Sequence, residues 1–243
     1  MQPKVLKIMK KLFAICLLFL IFACSKEKKQ GNMIVQGQIK GLKKGTLYLQ
    51  KLKDTLVVSV DSISLLGKDE FLLSDNVDSP EMYYLTFDGN TSEKRIIFFG
   101  EQGTITINDD VKRFGLNTKI EGSKNQKVYE DYQKMTSKFQ GKQLDLFEAN
   151  FLAQKEKDVK KSDSLRKLSE DYLKRRYLYS INFALNHPDD EASAYIALTD
   201  LADANVKYLD TINKSLSERV KASLYGKKLA KFIDKIKNQE DQP

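Results

Sequence analysis

The stretch IEGSKNQKVYEDY, Ile120 to Tyr132, is where the chain changes texture. Before it lie short runs rich in Val, Ile, Leu, Tyr and Phe, broken by Gly, Asp and Asn, which is the pattern of strands and turns. After it, apolar residues recur every three or four positions, at Tyr129, Tyr132, Met135 and Phe139, the spacing of a helix that buries one stripe. Gly122 and Ser123 stand at the change itself, where a strand ends and a serine oxygen can cap a helix N-terminus. The fold class expected is therefore α+β: an N-terminal antiparallel β-sandwich over residues 33–122, then a C-terminal α-helical region over 123–239.

Working back from the change, nine runs read as strands: MIVQGQI, TLYLQKL, TLVVSV, SISLL, EFLLS, MYYLTF, RIIFF, TITIN and NTKI. They are too closely spaced for helices between them, and parallel pairing needs a crossover of about a dozen residues or more, so antiparallel pairing is expected. In GTLYLQKL, Leu47 and Leu49 face one way and Tyr48 and Gln50 the other, as in a sheet with one buried face. Gly37, Gly41 and Gly45 punctuate the first strands, and Asp61 with Ser62 reads as a bend.

Working forward, Leu165, Leu168, Tyr172, Tyr179 and Phe183 mark a second helical stripe, and Val220, Leu224, Leu229, Ile233 and Ile236 a third. Pro188 stops one helix, and Asp189, Asp190 and Glu191 place negative charge at the start of the next. Gly141 is expected to break the first long helix, and five or six helices are expected in all.

At the other end, the residues Leu12 to Ala23 contain no charge, with Lys4, Lys7, Lys10 and Lys11 before them and Cys24 after. Twelve residues make about 18 Å of helix against about 30 Å of hydrocarbon, so the layout suits an export signal better than a transmembrane span. Ile21, Phe22, Ala23 and Cys24 resemble a lipobox, although Phe22 is bulkier than the usual small residue there. Residues 1–23 read as a lipoprotein signal peptide, Cys24 as the lipidation site and 24–32 as the lipidated cysteine with a flexible tether. Met9, Lys10 and Lys11 would make an equally ordinary start. The 41 basic and 33 acidic residues give a net charge of +8, but four of the lysines belong to the signal, and the remaining +4 is interspersed. Nucleic acid is accordingly not expected as a partner. The chain has two cysteines, Cys16 and Cys24; one would leave with the signal and the other take lipid, which removes thiol redox chemistry and zinc-thiolate sites from consideration.

The succession GQIKGLKKGTLYL, VDSI, GKDEF, PEMYYL, EQGTITI and IEGSKNQKVYEDY resembles the N-terminal domain, known only as domain of unknown function 4369, of Gram-negative thioredoxin-like lipoproteins of the TlpA and AhpC-TSA type. The resemblance covers Gly31 to about Tyr132, and NHPDDEASAYIAL and SERVKASLYGKKLAKFI more loosely resemble the helical linker of that family. It implies a Cys-x-x-Cys oxidoreductase domain beyond the linker; this sequence has none before Pro243, so no catalytic residue carries over.

Other chemistry is thin. His187, in NHPDDE, is the single histidine and suits a helix-to-helix turn better than a metal site. KRRYLY, Lys174 to Tyr179, interleaves basic and aromatic residues as single-strand binders do, yet on this helix it reads as a solvated edge. Asp109 and Asp110 follow a strand and read as a turn. No catalytic, cofactor-binding or metal-binding residue is assigned, and no cofactor is expected. The function expected is a non-catalytic envelope lipoprotein, a membrane-tethered binding or scaffold module for an envelope protein or glycan. The alternative is an accessory domain acting in trans with a separate thioredoxin-like oxidoreductase. CSKEKKQ lacks the acidic cluster that resembles a surface-export signal, so the expected place is the cell envelope, lipid-anchored on the periplasmic side of the outer membrane.

Overall fold

Eight strands occupy the chain from Met33 to Glu121, and six α-helices the remainder to Glu240, in a computed structural model that describes residues 31–88 and 95–240. The strands are β1 (Met33–Lys40), β2 (Lys44–Lys53), β3 (Leu56–Leu66), β4 (Glu70–Asp75), β5 (Glu81–Phe87), β6 (Ile96–Gly100), β7 (Gly103–Asp110) and β8 (Lys119–Glu121). They form two four-stranded sheets, ordered β4-β1-β7-β8 and β3-β2-β5-β6. Their inner faces meet over Val35, Leu47, Leu49, Leu85, Phe98 and Ile105, all fully buried, each such side chain stabilising the fold by about 1.5–3 kcal/mol relative to exposure. The expected α+β class, with a sandwich first and helices after, is the class observed.

Two details of the sandwich differ from expectation. All pairs are antiparallel except β1 with β7, which run parallel with Val35 opposite Ile105. The crossover that parallel pairing needs is supplied by the strands between them, which lie largely in the other sheet, so no helix is required. TLVVSV and SISLL are one strand, β3, because Asp61 and Ser62 continue the ladder. The local irregularity is a bulge: Leu49 faces Asp61 while Gln50 faces Ser59, which leaves Val60 over. Asp61 spans the two sheets, accepting the Ser62 amide at 2.7 Å and the Ser74 amide of β4 at 2.8 Å.

Two glycines let backbones approach closely. A Cβ on Gly37 would stand 1.8 Å from the carbonyl oxygen of Ile107, where β1 meets β7. One on Gly122 would stand 2.1 Å from the carbonyl oxygen of Thr104, at a φ of 97° that other residues rarely adopt.

The helices are α1 (Lys124–Lys155), α2 (Val159–Asn186), α3 (Glu191–Thr199), α4 (Val206–Ser215), α5 (Glu218–Ala222) and α6 (Leu224–Glu240). Ser123 caps α1, its Oγ accepting the Gln126 amide at 3.0 Å. Gly141 does not break α1, which continues through it for 32 residues. Glycine costs a helix only about 1 kcal/mol, and the flanking side chains Phe139 and Leu146 pack toward α2. The true stop is Lys157, at a φ of 58°, where the amide of Asp158 bonds back to Ala153 and that of Lys157 to Gln154. This left-handed cap turns the chain straight into α2, whose N-cap is Asp158, so α1 and α2 form a long hairpin. The third expected stripe spans two helices, because Ser223 separates α5 from α6 and accepts the Gly226 amide at 3.2 Å.

The sandwich and the helices share a second core. Strands β5 and β6 alternate, with Tyr83 and Phe98 inward and Met82 and Phe99 outward, and the outward pair is buried against helical residues such as Ile181, Ala194, Tyr225 and Leu229. Phe99 meets Tyr129, Tyr195 and Tyr225 edge to face, with ring centroids 5.6, 5.5 and 6.2 Å away. The layers therefore run sheet, sheet, helices.

Candidate functional site

Asn125, in the first turn of α1, ties the strands to the helices. Its Nδ2 donates to Glu101 at 3.0 Å and to Glu191 at 3.1 Å, and its Oδ1 accepts the Ala192 amide at 2.9 Å. Glu101 also accepts the amides of Lys124 and Asn125, which puts a carboxylate on the positive end of α1. Glu191 is 1% exposed, and Arg219 of α5 donates both to its carboxylate and to the carbonyl oxygen of Asp189. Lys124 Nζ lies 2.7 Å from Asp190, and that bond raises the lysine pKa above its ordinary value. With Ser79, Pro80 and Ala222 these residues line a cleft of about 550 Å³. Its carboxylates are engaged by amides, an asparagine and cations from two helices, α1 and α5, so the cleft works as a clamp: burying Glu191 is tolerable because its charge is paired.

The same junction takes up strand groups that the sheet leaves unpaired. The amide of Phe99, on edge strand β6, donates to Gln126 Oε1 at 2.9 Å, and α1 thus covers the edge. Met82 lies beyond the last β5 residue paired with β2, Tyr83, and its amide donates to the hydroxyl of Tyr225 at 2.9 Å. The amide of Leu224 donates to Ser79 at 3.1 Å.

A second polar cluster joins the two sheets. Lys51 Nζ lies 2.9 Å from Asp75 and 3.1 Å from Glu81, and the buried Tyr83 hydroxyl donates to Asp75 at 2.7 Å. Burial works against the charge of Asp75, but the hydrogen bonds from Lys51 and Tyr83 outweigh it and hold the carboxyl below its ordinary pKa. Burial likewise works against Lys51, and its bonds to Asp75 and Glu81 leave its pKa raised. Burial, then the neighbouring Asp75, pushes the Tyr83 hydroxyl far up, so it stays a donor.

The third feature is a surface. On the outer part of the α1–α2 hairpin, Leu144, Phe147 and Phe151 are 66, 69 and 61% exposed. Leu144 and Phe147, with Leu165 and Leu173 of α2, line a groove of about 520 Å³. Large apolar side chains grouped in this way mark a docking surface more often than a random patch.

The residues singled out by sequence fall as follows. Cys24 and the signal segment 1–23 lie outside the described residues. No helix among the described residues is long and apolar enough to cross a membrane. His187 follows the end of α2; its Nδ1 bonds the carbonyl oxygen of Phe183 at 2.8 Å and its ring stacks on Phe183. In KRRYLY, Tyr177 donates to Asp203, Arg176 lies over the Tyr177 ring and Tyr179 stacks on Tyr132, so the aromatics serve packing. Asp109 accepts from Asp110, Gly115 and Thr118, and Asp110 from Lys112, which makes the pair a turn. Asn125, Arg219 and the Leu144–Phe147–Phe151 stripe escaped sequence reasoning. The stripe alone had a legible signal, apolar residues three and four apart beyond Phe139.

Residues 33–129 match the family model described as Domain of unknown function (DUF4369). The match takes in all eight strands and the first turns of α1, as far as the tyrosine that packs on Phe99. No curated protein and no solved structure matches the chain.

Proposed function

We propose that this chain is a non-catalytic envelope lipoprotein, a membrane-tethered scaffold or binding module that docks through its helical hairpin. The observation that carries this reading is the stripe Leu144, Phe147 and Phe151, three large apolar side chains left to solvent on one helix face. Exposure of such groups costs about 25 cal/mol per Å² relative to burial, a cost that docking removes.

The position of the N-terminal end supports the reading. Asn32 accepts the Gly103 amide at 2.9 Å, close in sequence to Glu101, which holds the start of α1. From there α1 runs 32 residues, about 48 Å, to the hairpin tip. The eight residues from Ser25 to Asn32 reach at most about 28 Å. A lipid on Cys24 would keep Asn32 within that reach of the bilayer, a shorter distance than the length of α1. Two or three acyl chains make such an anchor stable.

Cells fed an alkyne fatty acid test the anchor. The wild-type chain should take up label and sediment with membranes, and Cys24→Ser should do neither. An unlabelled wild type, or a Cys24→Ser chain that matures and sediments normally, would remove the anchor from the account.

A further inference from the structure

Over residues 139–178, most of two helices, Leu146 and Ala153 are the buried apolar side chains. A helix pair is stabilised chiefly by burying its apolar face against a further layer, and here one face has none. Resting on the reading of this face as the docking surface, we infer that its occupant is a second copy of this chain, the two hairpins packing face to face as a four-helix bundle about a twofold axis close to Phe147.

Three observations select this occupant. A twofold contact requires the patch to complement itself. Leu144 and Phe151 stand three residues before and four after Phe147. In an antiparallel crossing each Phe147 therefore meets its equivalent, and each Leu144 meets the other copy's Phe151. The border also suits a like surface: Arg166, Glu170 and Arg176, spaced along α2 beside the groove, give it both signs, whereas a border of one sign repels its own copy. The size is adequate. From Phe139 to Lys155 the face is about 25 Å long and, across two helices, about 20 Å wide. That footprint of about 500 Å² per copy, about 1,000 Å² for the pair, reaches the least area a specific interface needs.

The test uses the full chain in membranes and in detergent. Phe147→Cys should give an oxidative cross-link at twice the chain mass, and Lys142→Cys, on the opposite side of α1, should not. Light scattering of the detergent-solubilised wild type should give two chains per particle. Phe147→Asp should give one, with its helical circular dichroism unchanged, since the side chain is exposed on the single chain, and with a melting temperature no longer raised by association. A monomeric wild type, a dimer that survives Phe147→Asp, or a Phe147→Cys cross-link to a different protein would overturn the inference. The lipid label on Cys24 is read separately, so loss of the dimer and loss of the anchor are distinguishable.

Discussion

The amide of Met82 donates to the hydroxyl of Tyr225 at 2.9 Å across 143 residues of chain. The pairing of β5 with β2 stops at Tyr83 there, although β2 runs on to Lys53, and the last described helix supplies the acceptor that the sheet does not. Tyr225→Phe keeps the ring and strands a buried donor, which costs about 1–3 kcal/mol. Urea denaturation should show that loss with an unchanged slope. A loss below about 0.5 kcal/mol, the size of an ordinary surface substitution, would mean that water takes over the amide.

The cluster at Lys51 predicts how stability varies with pH. Asp75 has a lowered pKa in the folded state, so its contribution is present above the ordinary carboxylate pKa of about 3.9 and is lost as pH falls through its folded value. Lys51 is raised, so its contribution is present below about 10.4 and is lost as pH climbs through its folded value. Asp75→Asn should be less stable than wild type at neutral pH, by about 1–2 kcal/mol, because it keeps an acceptor oxygen for Tyr83 but removes the charge that Lys51 and Tyr83 share, leaving Lys51 with Glu81 alone. The gap between the two urea midpoints should close as pH drops below 4. A gap that stays constant would locate the acid sensitivity elsewhere.

Gly122 and Gly141 should respond in opposite ways to alanine. At Gly122 the added Cβ meets the Thr104 carbonyl oxygen at a positive φ, so Gly122→Ala should destabilise by more than about 1 kcal/mol. At Gly141 nothing lies within 4 Å of the added carbon in an exposed helical position, so Gly141→Ala should stabilise by about 0.5–1 kcal/mol. Thermal melts of the two variants check both signs.

A chain without an available thiolate cannot exchange disulfides, because exchange begins with thiolate attack on sulfur. On the proposed maturation, which would put Cys24 in a thioether and remove Cys16, the purified chain should reduce no insulin above a heat-treated control, and maleimide should modify no residue. Insulin reduction that copurifies with the chain and persists in Cys24→Ser would contradict the proposed non-catalytic role.

What was legible in the sequence is what local chemistry decides. Ser123 sits where a capping oxygen is needed, and Leu47 and Leu49 point inward because a pleated strand alternates. What stayed hidden depends on partners far away in the chain. The parallel match of Val35 with Ile105 is set by which sheet the intervening strands join. The outward burial of Phe99 needs helices that begin more than twenty residues later, although the unbroken apolar run IIFF carries its trace. Lys157 stops α1 without the glycine that usually marks such a cap, and Asn125 is an ordinary polar letter until Glu101 and Glu191 are placed on either side of it.

Lipid on Cys24, the proposed hold of this module on a membrane, is read by mass spectrometry of the mature N-terminus. A protease-released peptide should begin at Cys24 and carry a diacylglyceryl thioether, with a further acyl group on its amine if the anchor has three chains. A purified chain whose first residue lies before Cys24, or in which Cys24 bears a free thiol, would contradict the account.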